Sequence, residues 1–147
     1  AKLIGAYVIA SADDKDEELL KSLGADEIID INNEKNIANI NNVDFVFDTI
    51  GAEAQETLWK TVRKEGMLIS TVNVDEDKAA KFGVIGKSFV SNSNGARLQE
   101  IAGLIDKHML KVNVAHEFKL EDAEKAQELS QKRKSKGKIV LLVSDTK

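Results

Sequence analysis

The phrase Val43-Asp44-Phe45-Val46-Phe47-Asp48-Thr49-Ile50-Gly51 sets a carboxylate, a hydroxyl and a glycine at the end of an apolar run. A helical stretch follows at 52–62, then a second apolar run at 67–72. Strand, tight turn, helix, strand is the unit of a parallel α/β sheet. Ligands of such sheets bind beyond the carboxyl ends of the strands, so Asp48, Thr49, Ile50 and Gly51 stand where a ligand would be met. Gly51 permits close approach of backbone to a ligand or a positive φ, and a plain strand-to-helix turn would use it equally well. Asp48 is open to two readings, a ligand contact or a helix-capping acid.

Other chemistry-bearing residues are sparse. His108 and His116 are the only histidines, and neither has metal-ligand spacing or a nucleophile beside it. The spacing puts His108 in the last turn of a helix, where a cation is favoured. With no cysteine, disulfides and thiolate metal sites are excluded. Asp75, Glu76 and Asp77 fall in a charged, irregular stretch at 74–82 and read as a solvated loop. Lys132, Arg133 and Lys134, with Lys136 and Lys138, read as a solvated helix end in preference to a polyanion site.

The elements that must position these residues alternate. Strands are predicted at 7–10, 27–31, 44–48, 67–71 and 87–90, and helices at 17–23 and 52–63, with a short one in the asparagine-rich 32–42. Gly24 and Gly66 are placed as helix stops. Beyond them come a helix at 95–107, an alternating strand at 112–118, a helix from 120 to about 131 and a closing strand at 138–143. No repeat, linker or low-complexity tract interrupts the 147 residues, which are long enough to bury a core.

A hydrophobic content of 42% and a charged content of 31% fit a globular protein. No apolar run approaches a membrane span of roughly 20 residues. No basic, apolar leader opens the chain, so a cytoplasmic location is expected. The net charge of −4, spread along the chain, argues against nucleic acid as a partner. Proline is absent, and nothing functional explains it.

Four phrases, taken together and in order, resemble the carboxy-terminal half of a medium-chain dehydrogenase/reductase of the quinone oxidoreductase branch. They are Ala1-Lys2 with 5–10 and 20–30, the phrase 43–51, Glu65-Gly66-Met67-Leu68-Ile69-Ser70, and 118–123 with Ala126 and 137–141. The resemblance implies a Rossmann-like parallel α/β sheet with flanking helices at 1–111. It assigns 112–147, a strand-helix-strand, to the family's catalytic domain. It also places the family's first strand and its phosphate-cradling glycine-rich turn upstream of residue 1, so the chain reads as a fragment or a truncated product. In the strand order 3-2-1-4-5-6 the missing strand is central. Its two neighbours would then pair directly, or another chain would fill the gap.

The same resemblance implies an NAD(P)H-dependent oxidoreductase moving hydride to a quinone, a carbonyl or an activated alkene. It favours a zinc-free parent, and it names no catalytic residue within this chain. Ser11 falls where NAD binders carry an acid, which leaves room for a 2′-phosphate, and Lys15 would add charge. NADP is therefore implied in preference to NAD, although Asp13 and Asp14 would repel a phosphate and equally suit a helix start. The resemblance places Thr49, Ile50 and Gly51 beside the adenosine, Val72 and Asn73 beside the nicotinamide, and Ser91 and Asn92 beside its carboxamide. The run 91–95 also suits an ordinary loop and N-cap. A homodimer edge is implied at 87–90. The alternatives are a non-enzymatic nucleotide-binding or interaction module, and an inert structural fragment.

Overall fold

A computed structural model describes residues 1–12, 16–30, 33–51, 53–132 and 135–144, apart from the side chains at 34, 35 and 53. The chain divides into two compact units, Ala1–Ser93 and Asn94–Lys147. The first holds β1 (Ile9–Ser11), α1 (Glu17–Ser22), β2 (Glu27–Ile29), α2 (Glu34–Ala38), β3 (Val43–Asp48), α3 (Glu53–Leu58), β4 (Val62–Ser70), α4 (Glu76–Lys81) and β5 (Ile85–Ser88). β1 pairs with β2, and β4 lies between β3 and β5; every pairing is parallel. Strand-helix-strand order with parallel pairing is what the alternation of apolar runs and amphipathic stretches requires.

Among the described residues β1 pairs only with β2, and β3 only with β4. Direct pairing of the strands at 7–10 and 44–48 is therefore not what the chain adopts. The amino-terminal end is instead tied to the start of β2. Lys2 Nζ donates to both carboxylate oxygens of Asp26, at 2.9 and 2.8 Å, and the Val8 N–H donates to the same group at 2.7 Å. Gly24, at φ 101, follows the end of α1 as the sequence requires.

The core belongs to the three-stranded sheet. Trp59, Val62, Leu68, Val74, Ala79 and Val84 form its buried cluster, with Val46 and Leu58 packed against it. Alternation along β3 sends Val46 and Asp48 to this face and Phe45 and Phe47 to the other. On that other face Phe45, Phe47 and Ile85 are exposed.

Five sequence expectations need correction. The helix expected over 52–63 ends at Leu58, and Gly66 lies inside a strand. β4 begins at Val62, opposite Val43, because Thr61 C=O accepts the Val43 N–H at 3.0 Å. The pairing then slips before Phe45 meets Met67, and Glu65, at φ 60, donates its N–H to Gly83 C=O. A Cβ on Gly66 would stand 2.7 Å from Val62 Cγ1 and 2.9 Å from Arg63 O, so this glycine serves the irregularity and does not stop a helix.

The stretch 74–82 is not irregular. It holds α4, whose start is fixed by Asp75 accepting the Lys78 N–H at 2.9 Å. The fifth strand is Ile85–Ser88 rather than 87–90. Gly86 must pass beneath Ala79, Val74 and Trp59, and Phe89 N–H closes the strand on Ser70 C=O at 2.7 Å. His108 stands beyond the helix that precedes it, at φ 55, and not in its last turn.

The second unit holds α5 (Gly95–Asp106), β6 (Val114–Lys119), a 3-10 turn (Leu120–Asp122), α6 (Ala123–Gln131) and β7 (Lys138–Leu142). Asn94 caps α5 by accepting the Arg97 N–H at 3.1 Å. β6 and β7 pair in parallel with α6 as their crossover, the expected strand-helix-strand. Among the described residues no helix is long and apolar enough to cross a membrane.

Candidate functional site

At the carboxyl end of the three-stranded sheet, parallel register sets Asp48 opposite Ser70 and Ser70 opposite Ser88. Asp48 and Ser70 are both buried. A buried carboxylate is costly unless its lone pairs are met, and here all of them are. Oδ1 accepts the N–H groups of Ile50 at 2.9 Å and Gly51 at 3.0 Å. Oδ2 accepts Gln55 Nε2 at 2.8 Å and Ser70 Oγ at 2.7 Å. Burial by itself would raise this carboxyl, but the bonds from Gly51, Gln55, Ser70 and Ile50 outweigh it and hold it below the ordinary value. With four donors already on it, Asp48 is a structural carboxylate.

The same groups reach the next turn. Ser70 Oγ accepts the Val72 N–H at 3.1 Å, and Gln55 Nε2 also donates to Asn73 C=O at 3.2 Å. Thr71 N–H donates to Asp48 C=O at 3.0 Å. Ser88 Oγ accepts the Val74 N–H at 3.0 Å. The turns after β3 and β4 and the end of β5 are thus joined along one rim.

On this rim the structure brings together Thr49, Ile50, Gly51, Val72 and Asn73. Gly51 is buried at φ 78, while the side chains of Thr49, Ile50, Val72 and Asn73 are exposed. The Ile50, Gly51 and Val72 N–H groups point inward to Asp48 and Ser70. The rim therefore offers an outside molecule side chains, two of them apolar, rather than those amides. Ser91 and Asn92 are exposed and follow β5. Ser11 is exposed at the carboxyl end of β1, in the other sheet. Lys15, with Asp13 and Asp14, lies outside the described residues.

Sequence reasoning missed Ser70 and Gln55. The signal for Ser70 was available: a hydroxyl closes the apolar run Met67-Leu68-Ile69 opposite a strand-end acid. Gln55 carried no comparable signal, because a glutamine on a helix is usually solvated. Among the described residues no three acidic or histidine side chains are grouped to hold a metal ion.

Parallel strands with helical crossovers, and polar turns gathered at the carboxyl ends of β3, β4 and β5, define a Rossmann-type α/β domain. The family model described as zinc-binding dehydrogenase matches residues 23–141, and the chain belongs to that family. A probable zinc-binding oxidoreductase, mitochondrial, of Arthroderma benhamiae is 26% identical over 145 residues, covering 92% of this chain and 44% of its own length. The quinone oxidoreductase of Coxiella burnetii superposes with a TM-score of 0.87 at 23% identity, over 98% of this chain and 47% of its own. An NAD-dependent alcohol dehydrogenase superposes with a TM-score of 0.81 at 26% identity, over 98% and 46%.

The chain spans less than half the length of these relatives. The resemblance to medium-chain dehydrogenases/reductases and the parallel α/β fold class are both borne out. The zinc of the family's description finds no fitting donor set among the described residues.

Proposed function

We propose that this chain is the cofactor-binding portion of an NAD(P)H-dependent oxidoreductase that passes hydride to a quinone, a carbonyl or an activated alkene, with NADP(H) preferred to NAD(H). The observation that carries this reading is the rim itself. Turns at 48–51 and 71–74 and the end of β5 are hydrogen-bonded into one edge, where open parallel sheets receive dinucleotides. Bound there, the nicotinamide supplies the hydride and the protein supplies placement.

Ser11 leaves space for, and donates to, a ribose 2′-phosphate, with Lys15 as a source of charge. Thr49, Ile50 and Gly51 border the adenosine. Val72 and Asn73 border the nicotinamide, and Ser91 and Asn92 hold its carboxamide. No proton donor is assigned to this chain. In this reading a homodimer forms through the outer edge of β5, near 87–90, and the protein works in the cytoplasm.

Calorimetric titration of NADPH and NADH tests the assignment, against the 147-residue chain and against the longest polypeptide its gene encodes. We expect binding by the longer polypeptide, tighter for NADPH, with weak or no binding and no turnover by the 147 residues alone. Quinone-dependent oxidation of NADPH by the 147-residue chain would overturn the inactivity. Binding without turnover in the longer polypeptide would leave a nucleotide-binding module. No binding by either would end the cofactor assignment.

A further inference from the structure

Asp48 is too enclosed to meet a ligand, yet both turns that would meet one are fastened to it. We propose that Asp48 is a positioning residue that locks the turn after β3 to the turn after β4, so that the two present a single surface. The inference rests on the dinucleotide reading above and adds the residue that shapes the site.

The argument is one of donors and acceptors. An ionised carboxylate only accepts. The single proton of Ser70 is therefore committed to Asp48 Oδ2, at 2.7 Å, which turns the hydroxyl's lone pairs toward the Val72 N–H at 3.1 Å. The Gln55 amide is oriented by the same logic. Its nitrogen faces two acceptors, Asp48 Oδ2 and Asn73 C=O, so the amide cannot flip without losing both. Oδ1 meanwhile fixes Ile50 and Gly51 directly. One carboxylate thus sets residues 50 and 51 at first hand, and 72 and 73 through one intermediary each. A fully satisfied buried network of this kind holds one geometry.

Alanine at position 48 removes both arms at once, Oδ1 from the Ile50 and Gly51 N–H groups and Oδ2 from Ser70 and Gln55. Ser70→Ala removes the arm to Val72, and with it one donor to Asp48 Oδ2, and leaves the bonds to Ile50, Gly51 and Gln55 in place. Ser70→Thr keeps the hydroxyl and serves as the conservative rescue.

Amide hydrogen exchange of the 147-residue chain, followed by NMR without nucleotide, reads the coupling. We expect Asp48→Ala to speed exchange at Ile50, Gly51 and Val72 together, by about ten-fold, the size of one lost hydrogen bond. Ser70→Ala should speed Val72 by about as much and leave Ile50 and Gly51 unchanged. Ser70→Thr should behave as the wild type. Should Asp48→Ala fail to fold, the two Ser70 variants decide the matter. Faster exchange confined to 49–51 in Asp48→Ala, or an unchanged Val72 in Ser70→Ala, would overturn the coupling. Uniform acceleration throughout Ala1–Ser93 in either variant would reduce the residue to general stability.

In the longest encoded polypeptide, Ser70→Ala should weaken NADPH binding several-fold and Ser70→Thr should restore it. Unaltered NADPH affinity in Ser70→Ala would overturn the positioning role. Absence of NADPH binding by the wild type would overturn the dinucleotide reading instead, a failure separate from that of the coupling.

Discussion

Gly51 and Val72 lie so close across the rim that a methyl group on the glycine would stand 2.9 Å from both Cβ and Cγ1 of the valine. Gly51 also sits at φ 78, which an L side chain adopts only with strain. Two costs therefore add in Gly51→Ala, a left-handed backbone of about 1–2 kcal/mol and an overpacking of about 1–3 kcal/mol. Val72→Ala removes Cγ1 and leaves Cβ in place, so it relieves part of the second cost and none of the first. We expect urea unfolding, followed by the fluorescence of Trp59, the chain's one tryptophan, to show a lower midpoint for Gly51→Ala and partial recovery in the double variant. An unchanged midpoint would mean that the two turns yield freely.

The same sheet is held from beneath by Trp59, which is 1% exposed within its apolar cluster. Gly86 makes room for it. A Cβ there would stand 2.7 Å from Ala79 Cβ, 2.8 Å from Val74 Cγ1 and 3.3 Å from Trp59 Cη2. Trp59→Ala should cost about 3–5 kcal/mol, the range for a large aromatic removed from a packed core. Gly86→Ala should cost about 1–3 kcal/mol through forced displacement. Circular dichroism during thermal unfolding checks both, and a Gly86→Ala protein as stable as wild type would contradict the packing.

Helix α4 shows where the sequence was harder to read. Its start carries Asp75 as N-cap and Glu76 and Asp77 in the first turn, with Lys78 and Lys81 toward its end, the charge order a helix dipole favours. Those charges first suggest a loop, because α4 is only six residues long and offers one buried anchor, Ala79. Asp75→Ala should cost about 0.5–2 kcal/mol while Asp75→Asn costs little, since either oxygen can accept the Lys78 N–H. Equal losses in the two variants, measured by urea unfolding, would refute capping.

What was legible follows from the physics of each element. β3 announced itself because four apolar residues, Val43, Phe45, Val46 and Phe47, lead to an acid before a glycine, and α5 because Leu98, Ile101 and Ile105 share a stripe. The turn at 49–51 was legible because strand, glycine and helix follow at short range. The irregularity at 63–66 was not. It depends on Gly66 fitting against Val62 and on Glu65 reaching Gly83, contacts between distant parts of the chain. Gln55 was hidden for a similar reason, since only the folded sheet brings it to both Asp48 and Asn73.

Acid should release the rim, and the sign follows from two lowered carboxyls among the described residues. Asp48 is held below its ordinary 3.8 because hydrogen bonds from Gly51, Gln55, Ser70 and Ile50 outweigh the effect of burial. Asp26 is lowered chiefly by Lys2, then by the Val8 N–H. A carboxyl lowered on folding contributes stability that is fully present above its unfolded value and is lost as pH falls through its folded value. Urea midpoints should therefore hold steady down to about pH 4 and decline below it. Asp48→Asn should start lower and decline less steeply, because its amide does not titrate. Salt separates the two groups. The exposed Lys2–Asp26 pair is screened at 1 M salt, where the Debye length is about 3 Å, while Asp48, bound to neutral donors, is not. An acid limb in 1 M salt that remains in wild type and flattens in Asp48→Asn assigns the loss to the rim. Equal slopes in the two proteins would assign it elsewhere.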